Sequence, residues 1–141
     1  MNIDFTLSPS DQDVAVLLDG LRKFNAPAFP NRDTKAFGIF IRDVDNNVIG
    51  GLMGDMTFTS IFVKFLWLSE SVRGIGLGEK LLKRLEIEAI ELGVNNLCLD
   101  TYSFQAPKFY AKYGYREVGR FTDFPCKGVD QIYFQKKLAA S

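Results

Sequence analysis

The chain has 141 residues, 17 Lys plus Arg against 17 Asp plus Glu, and therefore a formal net charge of zero; 47% of its residues are apolar and 24% charged. That length suits one domain spanning residues 1–141, and the composition belongs to a folded chain rather than a disordered one. Zero net charge supplies no basic field for a nucleic-acid backbone, so no nucleic-acid partner is expected. With no histidine and with Cys98 and Cys126 far apart, a metal site would need thiols and carboxylates that the sequence does not cluster, so none is expected.

The longest apolar stretch, residues 61–68, is interrupted by Lys64 and is too short to span a membrane. The opening Met1-Asn2-Ile3-Asp4 lacks the basic-then-apolar pattern of a secretory signal, which leaves a reducing cytoplasm as the expected location and no membrane partner.

In chain order, Ile3, Phe5 and Leu7 alternate with polar neighbours and predict a first short strand. Ser8, Pro9, Ser10 and Asp11 offer helix-start chemistry, followed by Val14, Leu17, Leu18 and Leu21 at helical spacing. Pro27 and Pro30 make residues 24–33 a loop or a broken helix. Residues 37–42 and 48–53 read as an antiparallel hairpin about the turn residues 43–47, with Gly50-Gly51 marking a bulge or a close backbone approach.

Residues 57–68 are nearly continuous in apolar side chains and predict a strand buried on both faces. The chain then passes through Gly74, Gly76 and Gly78 into a helical pattern with Leu81, Leu82, Leu85, Ala89 and Leu92 on one face, closed by Gly93. A short buried strand, residues 97–100, follows. The intervening helix makes it parallel to the strand before, which brings the glycine turn and Asp100 to one carboxyl edge of the sheet. Residues 104–113 predict a compact helix, and residues 115–121 and 131–138 two further strands.

The glycine turn has a physical use. The first amides of a helix lack intrahelical partners and carry about half a positive charge, and glycines let a phosphate approach them. The same pattern also serves as a plain tight connection. A P-loop is excluded by spacing, since Gly78-Glu79-Lys80-Leu81 sets the lysine one place late with no hydroxyl behind it. In a dinucleotide fingerprint the third glycine would stand one residue later.

The segment resembles the acyl-CoA signature of the GNAT superfamily of N-acetyltransferases, Gln/Arg-x-x-Gly-x-Gly/Ala, filled by Arg73, Gly76 and Gly78. A second segment, Ala106-Pro107-Lys108-Phe109-Tyr110-Ala111-Lys112-Tyr113-Gly114-Tyr115, resembles the family's Ala-x-x-Phe/Leu-Tyr-x-Lys-x-Gly-Phe/Tyr. The likeness covers residue 37 to the end well and the first thirty-odd residues, by this count of the sequence, in outline only.

The resemblance implies an α/β (α+β) fold with a mixed, mostly antiparallel sheet of six to seven strands, a parallel βαβ unit and helices on both faces. It implies acetyl-CoA as acyl-donor cosubstrate. Its pyrophosphate would be held by the amides of Arg73, Gly74, Ile75, Gly76, Leu77, Gly78 and Glu79, and its pantetheine arm by the backbone of Leu66, Trp67 and Leu68. Tyr110 matches the family's general acid. Asp100 aligns with a glutamate used as base by some members, although a cap for the following turn is an equal reading, and Glu70 is the second candidate base. Ser103 stands where many members carry a pantetheine-binding asparagine, with Gln105 as a substitute contact. Asn25, Phe29 and Arg32 would face the acceptor or simply cover the sheet.

The activity so implied is transfer of an acetyl group to a primary amine on a small molecule or peptide. A catalytically silent CoA-binding sensor is the alternative, and a homodimeric module using Phe58, Phe62 and Phe65 is a third reading.

Overall fold

The structure, a computed structural model, describes residues 1–30 and 33–139. Residues 1–32 and 33–141 form two separate compact units. In the first, helix α1 (Asp11–Asn25) begins where the sequence places it, because the Ser10 side chain accepts a hydrogen bond from the Asp13 amide at 3.1 Å. Its Leu17, Leu18 and Leu21 are exposed. Residues 3–7 form no strand. Alternation alone does not make one, since a strand needs a ladder partner for its amides and carbonyls, and Ile3, Phe5 and Leu7 remain exposed.

The second unit is a six-stranded mixed sheet in the order β1-β2-β3-β4-β6-β5. β1 (Thr34–Arg42) and β2 (Val48–Thr57) form the expected hairpin, longer than the sequence suggests. The turn is fixed by the Asp43 carboxylate, which accepts from the Asp45 and Asn47 amides at 2.9 Å each. A register shift falls at Ile41/Arg42, opposite Gly50 and Val48, and a Cβ on Gly50 would lie 2.7 Å from the Leu68 side chain. Bulge and close approach thus both occur at the glycine pair.

β3 (Ser60–Leu68) pairs antiparallel with β2 through a tight turn at Phe58 and Thr59. Its expected burial on both faces is not observed. Ile61 and Val63 are buried, whereas Phe62, Phe65 and Trp67 on the opposite face are 38%, 64% and 54% exposed. A continuous apolar run does not separate a two-faced strand from a one-faced strand whose outer side chains are also apolar.

Helix α2 (Leu77–Glu91) crosses over to β4 (Asn96–Tyr102), which lies parallel to β3. Leu81, Leu82, Leu85 and Ala89 are buried against Ile61, Val63, Leu97, Leu99, Ile132 and Phe134, and this is the core. Leu92, predicted on the same helical face, is exposed because the helix has already ended: Gly93 adopts φ 77° and the Val94 amide bonds the Ala89 carbonyl at 2.8 Å.

Helix α3 (Pro107–Lys112) starts later than its sequence pattern, since the Gln105 side chain caps the Tyr102 amide at 2.8 Å and holds residues 102–106 in a turn. β5 (Arg116–Phe121) and β6 (Gln131–Lys137) complete the sheet, with β6 inserted antiparallel between β4 and β5. Among the described residues no helix is long and apolar enough to cross a membrane.

Candidate active site

The path from β3 into α2 runs through a short 3-10 turn, Glu70–Val72. The Arg73 amide bonds the Glu70 carbonyl at 3.4 Å, and the Arg73 Nε donates to the Leu68 carbonyl at 3.0 Å, which pins the end of β3 to the turn. Gly74 and Gly76 follow at φ 77° and 85°, in the left-handed region that glycine alone enters cheaply, and a Cβ on either would meet nothing within 4 Å.

The first helical bond runs from the Lys80 amide to the Gly76 carbonyl at 3.2 Å. The amides from Gly74 to Glu79 therefore lie outside the helix's own ladder and have no acceptor among the described residues, a range one residue shorter than the sequence suggests. Gly78 serves a different purpose. Its Cβ would lie 2.9 Å from the Phe109 ring, so it lets α3 pack on α2.

An acid in the first turn of α2 would oppose an anion bound there, but Glu79 is engaged elsewhere. Its carboxylate pairs with Lys83 at 3.0 Å and accepts from the Tyr113 hydroxyl at 3.2 Å, and the Lys83 hydrogen bond holds it below the usual carboxylate range.

Beside this turn the sheet opens. β3 and β4 pair from Ser60↔Asn96 to Val63↔Leu99 and no further, although β3 continues to Leu68 and β4 to Tyr102. The cause is a bulge in β3. The register with β2 passes from Gly54↔Val63 to Met53↔Phe65, so Lys64 has no register partner on β2 and the strand bends away. A Cβ on Gly54 would lie 2.0 Å from the Phe62 carbonyl oxygen, so this bend needs glycine beside it. The edge of β3 bearing Leu66, Trp67 and Leu68 is left without a strand neighbour on the β4 side.

Asp100 lies on the other wall of the opening, half-buried, its carboxylate accepting from the Gln131 side-chain amide. Among the described residues no cation pairs with it. The Tyr110 ring is buried against Phe109, Tyr115 and Phe134, with centroids 5.2, 5.9 and 6.1 Å away. No protein group among the described residues hydrogen-bonds its hydroxyl. Burial first, and the Asp100 carboxylate second, push the Tyr110 hydroxyl up to about 12. Tyr115, read as a packing residue, is deeper still: its hydroxyl is buried without a partner, and burial raises it further.

The Ser103 hydroxyl accepts from the Asp130 amide at 3.0 Å, which ties it to the loop before β6, and Gln105 is occupied by Thr101 and Tyr102. Glu70 is exposed at the start of the 3-10 turn. Asn25 and Phe29 line a surface depression of the first unit with Leu18, Leu21 and Arg22; Arg32 falls outside the described residues. Cys98 sits half-buried in β4 with its thiol pushed up by burial, and Cys126 is exposed. No local pattern points to Gln131 and Tyr133 beside Asp100, because that neighbourhood depends on β6 inserting between β4 and β5.

A family model described as "Acetyltransferase (GNAT) domain" matches residues 35–117. The chain belongs to the GNAT acetyltransferase family. It is 35% identical over 101 residues to an acetyltransferase of Agrobacterium fabrum, covering 72% of this chain and 74% of that one. It is 32% identical over 113 residues to the blasticidin-S acetyltransferase of Streptomyces morookaense, covering 79% and 82%. The crystal structure of an acetyltransferase from Bacillus cereus superposes with a TM-score of 0.86 at 32% identity, covering 96% of this chain and 98% of that one.

The protein is thus an acyl-CoA-dependent acetyltransferase. Two glycines leave space that side chains would fill, and among the described residues the amides above it have no acceptor and the strand edge beyond it no strand neighbour on the β4 side.

Proposed function

We propose that this GNAT acetyltransferase moves an acetyl group from acetyl-CoA to a primary amine by direct attack within a ternary complex. The observation that carries the reading is the parting of β3 and β4 after Val63 and Leu99, which opens a cleft with amides at one end and a carboxylate on its wall. The amides from Gly74 to Glu79 hold the pyrophosphate, and the backbone of Leu66, Trp67 and Leu68 pairs with the pantetheine arm as a neighbouring strand would. Ser103 contacts the far side of that arm through the O–H that its bond to Asp130 leaves free. When bound, acetyl-CoA supplies an activated acyl group on a sulfur leaving group.

Asp100 receives the ammonium of the acceptor and takes its proton, directly or through water, so that the amine attacks in its neutral form. Tyr110 donates a hydrogen bond to the departing sulfur. Its raised pKa sharpens that role: at about 12 the hydroxyl stays protonated and aimed, whereas complete transfer to a thiolate, whose thiol has a pKa of about 8.5, is uphill. The hydroxyl therefore stabilises charge developing on sulfur, and the proton that the attacking nitrogen sheds as the amide forms passes to the departing thiolate, directly or through water. Cys98, inside a strand, and the exposed Cys126, in a chain with no histidine to act as its base, take no part as covalent relays.

The acceptor is a small molecule, a reading supported by the Streptomyces relative named for blasticidin S. Incubation with acetyl-CoA and a panel of primary amines, following thiol release and product mass, tests the proposal. Amine-dependent thiol release with an equal amount of acetylated amine is expected. Thermal protection by CoA with no amine-dependent release would indicate a sensor domain instead.

A further inference from the structure

We infer that the acceptor is a primary amine carried on a planar, aromatic or heteroaromatic body, received on a shelf that Tyr102, Phe121 and Tyr133 build around Asp100. The inference rests on the transferase reading above and names the substrate class of that site.

The register places these residues together. Asp100 faces Tyr133 and Tyr102 faces Gln131 across β4 and β6, while Phe121 faces Gln131 across β5 and β6. Directly opposed residues project from the same face of a sheet, as do residues two apart on one strand. All five side chains therefore share one face, opposite Leu99, Thr101, Ile132 and Phe134, which are buried. This end of the face also lies at the carboxyl edge of β4, beside the opening between β3 and β4.

The shelf is more aromatic than packing requires. Phe121 sits 5.4 Å from Tyr133 at 74° and 5.5 Å from Phe124 at 62°, and Phe104 lies 5.8 Å from Tyr102 at 10°, nearly parallel. Yet Phe121, Phe124 and Phe104 remain 53%, 44% and 71% exposed. Rings exposed to this extent keep aromatic surface that the protein does not cover, and a planar guest is the shape that covers it.

Charge selects the rest of the guest. The neighbouring acids are already engaged: Asp130 pairs with Arg120 at 2.9 Å, and Asp123 accepts from the Gly128 amide at 2.8 Å. Among the described residues Asp100 has only the neutral Gln131 amide. A carboxylate without a cation among the described residues, on one sheet face with Tyr102 and Tyr133, whose rings can also attract an ammonium group, is complementary to a cationic amine and repels an anionic one.

The test compares tryptamine with hexylamine and with a tetrapeptide bearing a free N-terminus. Each is measured by saturation-transfer NMR without CoA and by kcat/KM with acetyl-CoA, in the wild type and in Phe121→Leu, which keeps apolar volume and removes the ring. Tryptamine is expected to bind and react about tenfold better than the others, the upper end of what one stacking contact gives. Phe121→Leu should erase most of that ratio through KM, while the thermal shift produced by CoA stays unchanged.

Equal or better use of hexylamine or the peptide, binding of none of the three, or a ratio that survives in Phe121→Leu overturns the inference. Should Phe121→Leu not fold, Phe124→Leu carries the same test. Absence of a CoA thermal shift would defeat the transferase reading alone, because the NMR comparison without CoA still judges the shelf.

Discussion

The glycine turn and the aromatic shelf share one edge of the sheet but are built by opposite means. The turn is made of backbone. It comes from one contiguous segment, its glycines present amides rather than side chains, and it recognises charge on any phosphate of the right shape. The shelf is made of side chains from three strands and the segments after them, and its shape depends on which strands lie next to each other. One site fits a fixed part of every donor molecule; the other can vary while the fold stays the same. A family likeness therefore identifies the reaction far better than the acceptor.

Several experiments separate the two regions. The largest effect is expected where they meet: Tyr110→Phe should lower kcat by about 10²- to 10³-fold, the usual loss of one donor to developing charge, with CoA affinity unchanged in a binding titration. Asp100→Asn should lower kcat/KM for the amine by about 10²-fold and leave CoA binding intact, because it damages only the acceptor side. If it weakens CoA instead, Asp100 caps its turn rather than serving the acceptor.

Gly76→Val should do the reverse. A β-branched residue at φ 85° strains the turn and puts a side chain where the phosphates would lie, so CoA should bind about tenfold or more weakly while amine binding in NMR is preserved.

The smallest effect is a shape rather than a loss. Tyr110 titrates at about 12, so its hydroxyl remains protonated across the range in which the amine loses its proton. The rate should rise with pH and show no descending limb below about pH 10, whereas a donor of ordinary tyrosine pKa would begin to fail there.

The difference between the two regions also explains what the sequence disclosed. The hairpin at residues 43–47, the helix stop at Gly93 and the turn at Gly74 and Gly76 were legible because each is decided by neighbours within a few positions. The parallel placement of β4 beside β3 followed from the crossover helix. Residues 3–7 and the outer face of β3 were misread because alternation and apolarity describe side chains, not whether a partner strand or a covering layer exists. Gln131 and Tyr133 gave no local sign at all. They reach Asp100 only through the β4-β6-β5 order, a long-range result that no short motif encodes. The bulge at Lys64 that parts the strands was equally silent, although Gly54 opposite it is its one trace.

The most direct measurement is thermal unfolding of the wild type and Gly76→Val with CoA and with pantetheine, which lacks the pyrophosphate. If the amides from Gly74 to Glu79 are the anchor, CoA at a hundredfold excess over its Kd adds about 2.7 kcal/mol and raises the wild-type Tm by several degrees, pantetheine raises it little, and Gly76→Val loses most of the CoA effect. Equal protection by pantetheine and CoA, or a full CoA shift in Gly76→Val, would contradict the account.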